Sequence, residues 1–277
     1  MKASGKCTMW LDGPLRSPTF GVEIEFIVRH QQNGLQDLYQ PHIHEQLRQH
    51  LSDEDVKVNS IYGTHGYSAW TVTGDVSILP YGDGEDINRS LTHTAVELIS
   101  PVLPVGPLGF QEIHKVVALV QVKFDVKVNQ STGLHVHVGN GSDNIDDQCI
   151  QNLAQLVTVF QYQIDSIHPD SRINAYWAMP PSSSAALRVS EGPFATAEVL
   201  QRDERETIGL INPGGERAVA YNFTNLVDPW SGKRTIEFRQ HQGSLNAEQI
   251  VAWAEFVTAL RFASHASHRQ APFGRLL

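Results

Sequence analysis

Alternating apolar and polar side chains predict β-strands in three stretches of the chain. These stretches are residues 20–28, 132–139 and 234–240. Side chains two residues apart in a strand point to the same face, so each stretch has one apolar face and one charged or imidazole face. A fourth predicted strand, residues 95–101, has a pattern typical of burial on both faces, yet it contains a carboxylate, Glu97. We therefore predict a sheet whose strands each contribute polar side chains to one face.

Apolar residues at helical spacing predict helices between and after these strands. The predicted helices cover residues 41–51, residues 108–122, a long stretch from Asp143 or Asn144 to just before His168, and a C-terminal stretch capped by Asn246. Shorter strands are predicted at residues 69–73, 75–79, 124–128 and 218–226. No internal repeat or domain boundary is visible, so we expect a lead-in segment at residues 1–18 and a single domain at residues 19–277.

The composition is typical of a soluble globular protein. The chain has 277 residues, of which 41% are hydrophobic, and a formal net charge of −9. It has no basic run of five or more residues, which argues against a nucleic-acid partner. Two cysteines, Cys7 and Cys149, are too few for a disulfide framework and favour a reducing compartment. No apolar run approaches the roughly 18 residues of a membrane span, and the N-terminus lacks a signal-peptide pattern, so we expect a cytoplasmic protein without membrane contact.

Two histidines lie close together on the predicted strand at residues 132–139. His135 and His137 point to the same face because they are two residues apart. Gly133 and Gly139 on either side leave room for another group to approach the backbone. This arrangement favours a metal or phosphate site, and the alternative is a strand edge that carries two solvated histidines.

Carboxylates occupy the polar positions of two other predicted strands. Glu23 and Glu25 share one face, ~6.6 Å apart along the strand. Glutamates on the open face of an antiparallel sheet are also common, so these two alone do not decide between a site and a solvated surface. Glu97 is flanked by apolar residues, and a buried carboxylate needs a partner or a cation. Glu97 therefore favours a functional site.

Charged side chains also alternate in the last predicted strand, which places Glu237, Arg239 and His241 on one face. If the polar faces of these strands converge, five carboxylates come together: Glu23, Glu25, Asp75, Glu97 and Glu237. They cannot all stay ionised without cations, and two divalent ions would supply four positive charges. Oxygen-rich donors with one imidazole suit Mg²⁺ or Mn²⁺ better than Zn²⁺. Paired ions of this kind typically clamp phosphates, with His137 and Arg239 as further donors.

Known glycine-rich phosphate loops are absent from the sequence. Neither Gly-x-x-x-x-Gly-Lys-Ser/Thr nor Gly-x-Gly-x-x-Gly occurs, so any nucleotide is held in another way. Gly-x-Ser-x-Gly is absent too, and Cys149 on an apolar helix is expected to be a core residue.

The residue patterns, taken in order, resemble the amidoligases of the glutamine synthetase-like carboxylate–amine ligase superfamily. The matching pieces cover nearly the whole chain: residues 20–26, 75–78, 96–101 and 132–139, Asn225, and residues 235–245. The resemblance implies an α+β fold, with a curved antiparallel β-sheet and helices packed on its outer face. It also implies that ATP phosphorylates a carboxylate, after which an amine displaces the phosphate.

The resemblance further implies a set of metal ligands. Glu25 and Glu97 would bind the ion nearer the acyl substrate. Glu23 and His135 would bind the ion beside the ATP phosphates, and Glu237 would contact either ion. Two or more Mg²⁺ or Mn²⁺ ions are therefore implied.

Phosphate and substrate contacts are implied as well. His137 and Arg239 would contact the ATP phosphates, and with Glu237 they are the implied catalytic residues. Weaker matches, which would orient the substrate, are Asp75, Arg172, Asn174 and Asn225. Asp75 lies in Asp-Val-Ser, where the family usually has Asp-Gly-Ser.

The expected function is an ATP- and Mg²⁺- or Mn²⁺-dependent ligase that forms an amide through an acyl phosphate. Its substrates would be a small-molecule or peptide carboxylate and an amine. Two alternatives remain open at this point. One is a non-catalytic ligand-binding protein on the same fold, and the other is a metal-dependent hydrolase that uses water as the acceptor.

Overall fold

The computed structural model describes residues 18–30, 40–60, 66–80, 92–141, 143–173, 175–188 and 198–266. Its strands in chain order are β1 (Thr19–Arg29), β2 (Thr71–Thr73), β3 (His93–Ile99), β4 (Leu103–Pro104), β5 (Asp125–Lys127), β6 (Gly133–Gly139), β7 (Tyr221–Asn222) and β8 (Ile236–Gln242). Its α-helices are α1 (Gln40–Asp53), α2 (Pro107–Lys123), α3 (Asp147–Val159), α4 (Gln161–Asp165), α5 (Asp170–Ile173), α6 (Ala185–Arg188), α7 (Glu204–Ile211) and α8 (Ala247–Ala266). Short 3₁₀ turns occur at Tyr176–Ala178, Pro181–Ser183, Pro213–Gly215 and Thr224–Leu226.

The strands form one antiparallel sheet in the order β2-β3-β1-β6-β8-β7. Strand β1 is the longest of the described strands, with 11 residues, and it also pairs with β4 at its beginning and β5 at its end. An antiparallel sheet combined with helices confirms the predicted α+β class.

One face of the sheet forms the hydrophobic core. The apolar side chains of β1 and β6 point to this face, and Phe26, Leu134 and Val136 are fully buried there. Helix α8 contacts β1 and β6, while α1 contacts β2 and β3. Helix α2 directs Ile113 and Val117 into the same core. The apolar faces that periodicity predicts for the strands and for the helices therefore pack against each other in one core.

The other face of the sheet is polar at its centre and apolar at one end. At that end Ile27 and Ala95 pack against Ile78, which belongs to the turn after β2. The same turn places Asp75 over the sheet, and Ser77 holds it by donating from its backbone N (2.6 Å) and its Oγ (2.5 Å) to Asp75 Oδ1. The predicted strand at residues 75–79 is therefore wrong, because this Asx-type turn takes its place.

Two other predicted elements are shorter than expected. The long predicted helix is broken at Phe160 into α3 and α4, and its cap is Asp146, whose side chain accepts from the backbone N of Gln148. The strand predicted at residues 218–226 is reduced to β7 and a 3₁₀ turn. The lead-in segment predicted at residues 1–18, apart from Pro18, lies outside the described residues. Among the described helices, none has the length and apolarity needed to cross a membrane.

Candidate functional site

Strand register gathers the predicted acidic and imidazole residues on the polar face of the sheet. Glu23 of β1 lies opposite His135 of β6, and Glu25 of β1 lies opposite Glu97 of β3. All four side chains are at most 9% exposed. Because neighbouring strands are about 4.8 Å apart, the register alone brings these side chains within reach of each other.

Both histidines of β6 turn toward Glu23, as their spacing predicts. His135 Nδ1 lies 3.2 Å from Glu23 Oε2, and His137 Nε2 lies 2.9 Å from Glu23 Oε1. His135 also approaches Glu25 through Nε2, at 3.4 Å from Oε1. Thr235 Oγ1 contacts the other ring nitrogen of His137 at 3.0 Å. Glu23 is therefore the centre of the contact network.

Gly133 has a structural reason to lack a side chain. A Cβ atom at this position would lie 2.8 Å from His135 Nε2 and 3.1 Å from Arg172 Nη2. The backbone N of Gly133 donates to Glu25 Oε2 at 2.6 Å. This glycine therefore lets the imidazole and a buried guanidinium approach the strand while its own amide holds a site carboxylate.

Strand β8 supplies the carboxylate of Glu237, which lies opposite His137. Glu237 Oε1 is 3.6 Å from His135 Nδ1, and Arg239 Nη1 donates to the same oxygen. Asn222 of β7 donates to Glu237 Oε2 at 2.8 Å. Arg239 is also held by the carbonyl of Trp177, which accepts from its Nε at 3.1 Å.

Lys233 is a member of this site that sequence reasoning did not identify. Its Nζ donates to Glu23 Oε1 at 2.9 Å and lies 3.3 Å from His137 Nε2. The residue precedes β8 in a loop without periodicity. Its position two residues before a site-facing threonine, Thr235, is the one sequence signal that could have marked it.

The carboxylates of the site differ in how readily they ionise. Burial, together with the neighbouring charges of Glu23, Glu25 and Asp75, raises the pKa of Glu97 to about 9. Burial also raises the pKa of Glu25. Like charges brought together in a buried place therefore favour the protonated form at the Glu97 end of the site.

The pKa values of Glu23 and Glu237 shift in the opposite direction. Burial opposes ionisation of Glu23, but His137, His135 and Lys233 together hold its pKa well below the ordinary value. Burial likewise opposes ionisation of Glu237, and His137 and Arg239 lower its pKa. The site is therefore anionic at the Glu23–Glu237 end, where its cations also collect.

A β-bulge interrupts the pairing between β6 and β8. The register shifts between Leu134 and Val136, where Arg239 and Gln240 of β8 together oppose His135. Arg172 stabilises this irregular backbone, because its Nη2 donates to the carbonyl of Arg239 at 2.7 Å and its Nε donates to that of Gln240 at 3.3 Å.

The bulge reverses the faces of β8 beyond Arg239. His241, which strict alternation places beside Glu237 and Arg239, instead packs against Trp253 of α8, with ring centroids 5.5 Å apart. His168 lies against the same two rings. The predicted shared face for His241 is therefore wrong, because one extra residue changes the phase of the alternation.

The weaker substrate candidates have different surroundings. Arg172 is 3% exposed and its described bonds go to the β8 backbone. Asn225 is 1% exposed and accepts from Arg217 and from Ser231 Oγ, each at 3.2 Å, so it braces the loop that carries Lys233. Asn174 lies outside the described residues.

Within the part of the chain that the structure describes, three groups of donor atoms lie close enough to hold a cation. They are Glu23–Glu97–His135, Glu23–His137–Glu237 and Glu25–Asp75–Glu97, and the donor atoms of each group lie within 4.8 Å of one another. The side-chain oxygen Glu25 Oε1 is buried without a hydrogen-bond partner among the described residues. Five carboxylates meet here, Lys233 and Arg239 pair with two of them, and the buried Arg172 guanidinium also interacts with Glu25. This oxygen-rich donor set with net negative charge fits Mg²⁺ or Mn²⁺.

The fold and this site define a class: an α+β protein that presents a carboxylate- and histidine-rich centre on the open face of an antiparallel sheet. A family model described as "Putative amidoligase enzyme" matches residues 16–261. The chain belongs to this amidoligase family, and the resemblance noted in the sequence is confirmed. The comparison with curated proteins found no match.

Proposed function

We propose that this protein is an ATP-dependent ligase that joins a carboxylate to an amine. The γ-phosphoryl group of ATP passes to a carboxylate oxygen of the acyl substrate, and ADP leaves. The amine nitrogen then attacks the acyl carbon, and phosphate leaves as the amide bond forms. The observation that carries this proposal is the convergence of five carboxylates and two imidazoles beside Lys233 and Arg239 on one sheet face.

Divalent ions fit the donor atoms of this face. We assign Glu25 and Glu97, with Asp75 beside them, to an ion at the acyl end, and Glu23, His135 and Glu237 to ions at the phosphate end. His137 belongs to a donor group with Glu23 and Glu237, so it is a candidate ligand in addition to its proposed phosphate contact. Mg²⁺ or Mn²⁺ bound here would neutralise the charge of the transferring phosphoryl group.

The chain's own cations would orient the phosphates. Arg239 and Lys233 are held at the Glu23–Glu237 end by their ion pairs, and each has nitrogen donors directed at the same region. Since phosphoryl transfer depends mainly on positioning and charge stabilisation, fixed donors of this kind supply most of what the protein must provide.

Asp75 is the proposed acceptor of the proton that the amine loses. It is more exposed than Glu23, Glu25 or Glu237, and Ser77 holds it through Oδ1. We assign the proton to Oδ2. An amine that approaches from solvent would meet this carboxylate before it reaches the buried ones.

The test is product formation by the purified protein with ATP, Mg²⁺ or Mn²⁺, and a panel of carboxylates and amines. Ligation predicts ADP release together with an amide detected by mass spectrometry. With hydroxylamine as the amine, it predicts a hydroxamate. Glu237→Gln should lose at least 100-fold in turnover, whereas Glu248→Gln on the exposed side of α8 should match the wild type.

Other outcomes would identify the alternatives. Phosphate release without amide or hydroxamate would mean that water is the acceptor. Nucleotide binding without any turnover across the panel would favour a ligand-binding protein. Full turnover by Glu237→Gln would exclude this face as the catalytic site.

A further inference from the structure

A pocket lies beside the Glu23 end of the site, outside the carboxylate cluster itself. It runs along the beginning of β1 and is walled by the segment after β3 and by the loop before β8. His137 and Lys233 form its boundary with the site, and Tyr67 lines its outer wall. None of the roles assigned above uses this space.

Gly21 creates the floor of the pocket. It lies opposite His137 and two residues before Glu23, so it occupies the same polar face of β1. A Cβ atom here would lie 3.5 Å from Ser100 Oγ and 3.7 Å from the carbonyl of Pro101, which are ordinary contact distances. The fold therefore accepts a small side chain at this position, and its absence leaves the space beside His137 open.

Tyr67 joins the two walls of the pocket. Its carbonyl accepts from the backbone N of Val102 at 2.9 Å, which ties it to the segment after β3. Its ring lies against the opposite loop, with Lys233 Nζ 5.2 Å from the ring centroid. The ring is held at the entrance and is still 40% exposed, so one surface of it can receive a flat ligand.

The charge of the pocket differs sharply from that of the neighbouring site. Among the described residues, its lining contains no aspartate or glutamate, and it contains two cations, Lys233 and Arg234. Apolar residues of the remaining lining include Ile99, Pro101 and Val102. A ligand that occupies both the pocket and the site would therefore have an uncharged, flat part in the pocket. Its anionic part would pass Lys233, at the boundary, and extend into the site.

We propose that the pocket bounded by Gly21, Tyr67 and Lys233 receives the base of the nucleotide. The phosphates run from it past Lys233 and His137 toward Glu23 and Glu237. This inference rests on the proposed function, and it adds where and by which residues the nucleoside end is held. The acyl and amine substrates are left with the Glu25–Asp75–Glu97 end of the same face.

Binding measurements test the proposal without relying on turnover. The affinities of AMP-PNP and of inorganic tripolyphosphate are measured by calorimetry with Mg²⁺, and Mn²⁺ binding is followed separately by water-proton relaxation. Gly21→Val fills the floor of the pocket, and Tyr67→Ala removes its outer wall. Tyr162→Ala, on an exposed tyrosine of α4, is the matched control.

The proposal expects the wild type to bind AMP-PNP at least tenfold more tightly than tripolyphosphate. Gly21→Val and Tyr67→Ala should each lose about tenfold in AMP-PNP affinity, while tripolyphosphate and Mn²⁺ affinities stay within twofold of the wild type. Retained Mn²⁺ binding also shows that a variant is folded.

Three results would overturn the proposal. If both pocket variants bind AMP-PNP like the wild type, the base lies elsewhere and the proposed ligase function survives. If tripolyphosphate binds as tightly as AMP-PNP to the wild type, the base contributes nothing and no pocket receives it. If the wild type binds no nucleotide with Mg²⁺, the proposed function fails together with the pocket.

Discussion

The fold strongly affects the ionisation of Glu97. Its pKa of about 9 lies far above that of a glutamate in an unfolded chain, which is about 4.3. Between these two values the folded, metal-free protein holds a proton that the unfolded chain has lost. Stability contributed by this group is therefore fully present below about pH 4, declines as the pH rises, and is lost by about pH 9.

Glu97→Gln removes this pH dependence, because glutamine is neutral in both states. We expect the metal-free variant to melt several degrees above the wild type at pH 8, with the difference shrinking toward pH 4.5. Thermal unfolding monitored by circular dichroism across this pH range measures the difference in melting temperature between the variant and the wild type. Glu248→Gln is the control, and parallel pH profiles for Glu97→Gln and the wild type would contradict the prediction.

Lys233 would compete with a bound cation for the carboxylate of Glu23. Its ammonium contacts Glu23 Oε1, and Glu23 belongs to two of the donor groups. Replacing it by methionine removes a competing positive charge while keeping much of the side-chain volume. We expect Lys233→Met to bind Mn²⁺ about three- to tenfold more tightly, a gain of roughly 0.7–1.4 kcal/mol.

Water-proton relaxation titration of nucleotide-free protein measures this change. Lys57→Met, on an exposed lysine distant in sequence, should leave Mn²⁺ affinity unchanged. Unchanged or weaker Mn²⁺ binding by Lys233→Met would show that the lysine does not compete with the ion.

Single-residue predictions succeeded where strand periodicity determines direction. Glu23, Glu25, His135 and His137 point to one face because each pair is two residues apart within a strand. Lys233 could not be predicted in the same way. Its position depends on an aperiodic loop, and a lysine in such a loop resembles any solvated surface lysine.

Among the secondary-structure elements, β8 departs most from its sequence pattern. Strict alternation predicts one polar face from Glu237 to His241, but the bulge at Arg239 and Gln240 ends that alternation. An extra residue in a strand leaves no mark on composition or periodicity until its partner strand is known. The existence of β8 was therefore predictable, but the faces to which its side chains point beyond Arg239 were not.

Arg172 is expected to be essential for the stability of the bulge. Arg172→Met leaves the carbonyls of Arg239 and Gln240 without the donors that satisfy them. We expect a loss of roughly 2–4 kcal/mol in the free energy of unfolding, since each unsatisfied buried group costs about 1–3 kcal/mol. Urea unfolding measures this loss.

Arg202→Met is a suitable control, because the Arg202 side chain is half exposed and pairs with an exposed glutamate. It should change stability by less than about 0.5 kcal/mol. A similarly small effect of Arg172→Met would mean that the bulge holds its shape without the guanidinium.

For the whole molecule, the polar face concentrates negative charge that folding alone does not neutralise. The chain has a formal net charge of −9, and five of its carboxylates meet on one face of the sheet. Divalent ions that bind only the folded state stabilise it in proportion to the logarithm of their concentration, by about 2.7 kcal/mol at 100 times Kd.

We therefore expect Mg²⁺ or Mn²⁺ at millimolar concentration to raise the melting temperature by several degrees, and EDTA to reverse the change. Sodium chloride at the same ionic strength is the control and should have little effect, because screening does not replace coordination. Glu237→Gln should reduce the divalent-ion effect. Equal stabilisation by both salts would argue against a bound ion.

Much of the overall architecture could be predicted from the sequence. The strands at β1, β3, β6 and β8 and the helices α2 and α8 follow from apolar periodicity, because each buries one face in a common core. The turn at Asp75 could not be predicted in this way, because Asp75–Leu79 has a strand-like composition. There a side chain that bonds its own backbone competes with sheet pairing.

The contacts of Glu23 have a consequence for the order in which the molecule is made. They reach across 112 residues to His135, 114 to His137 and 210 to Lys233. At synthesis rates of 5–20 residues per second, Lys233 is added about 10–40 s after Glu23. Such long sequence separations also predict slow folding, because loops must close before these contacts form. The polar face therefore cannot be completed until Lys233 and β8 have been synthesised.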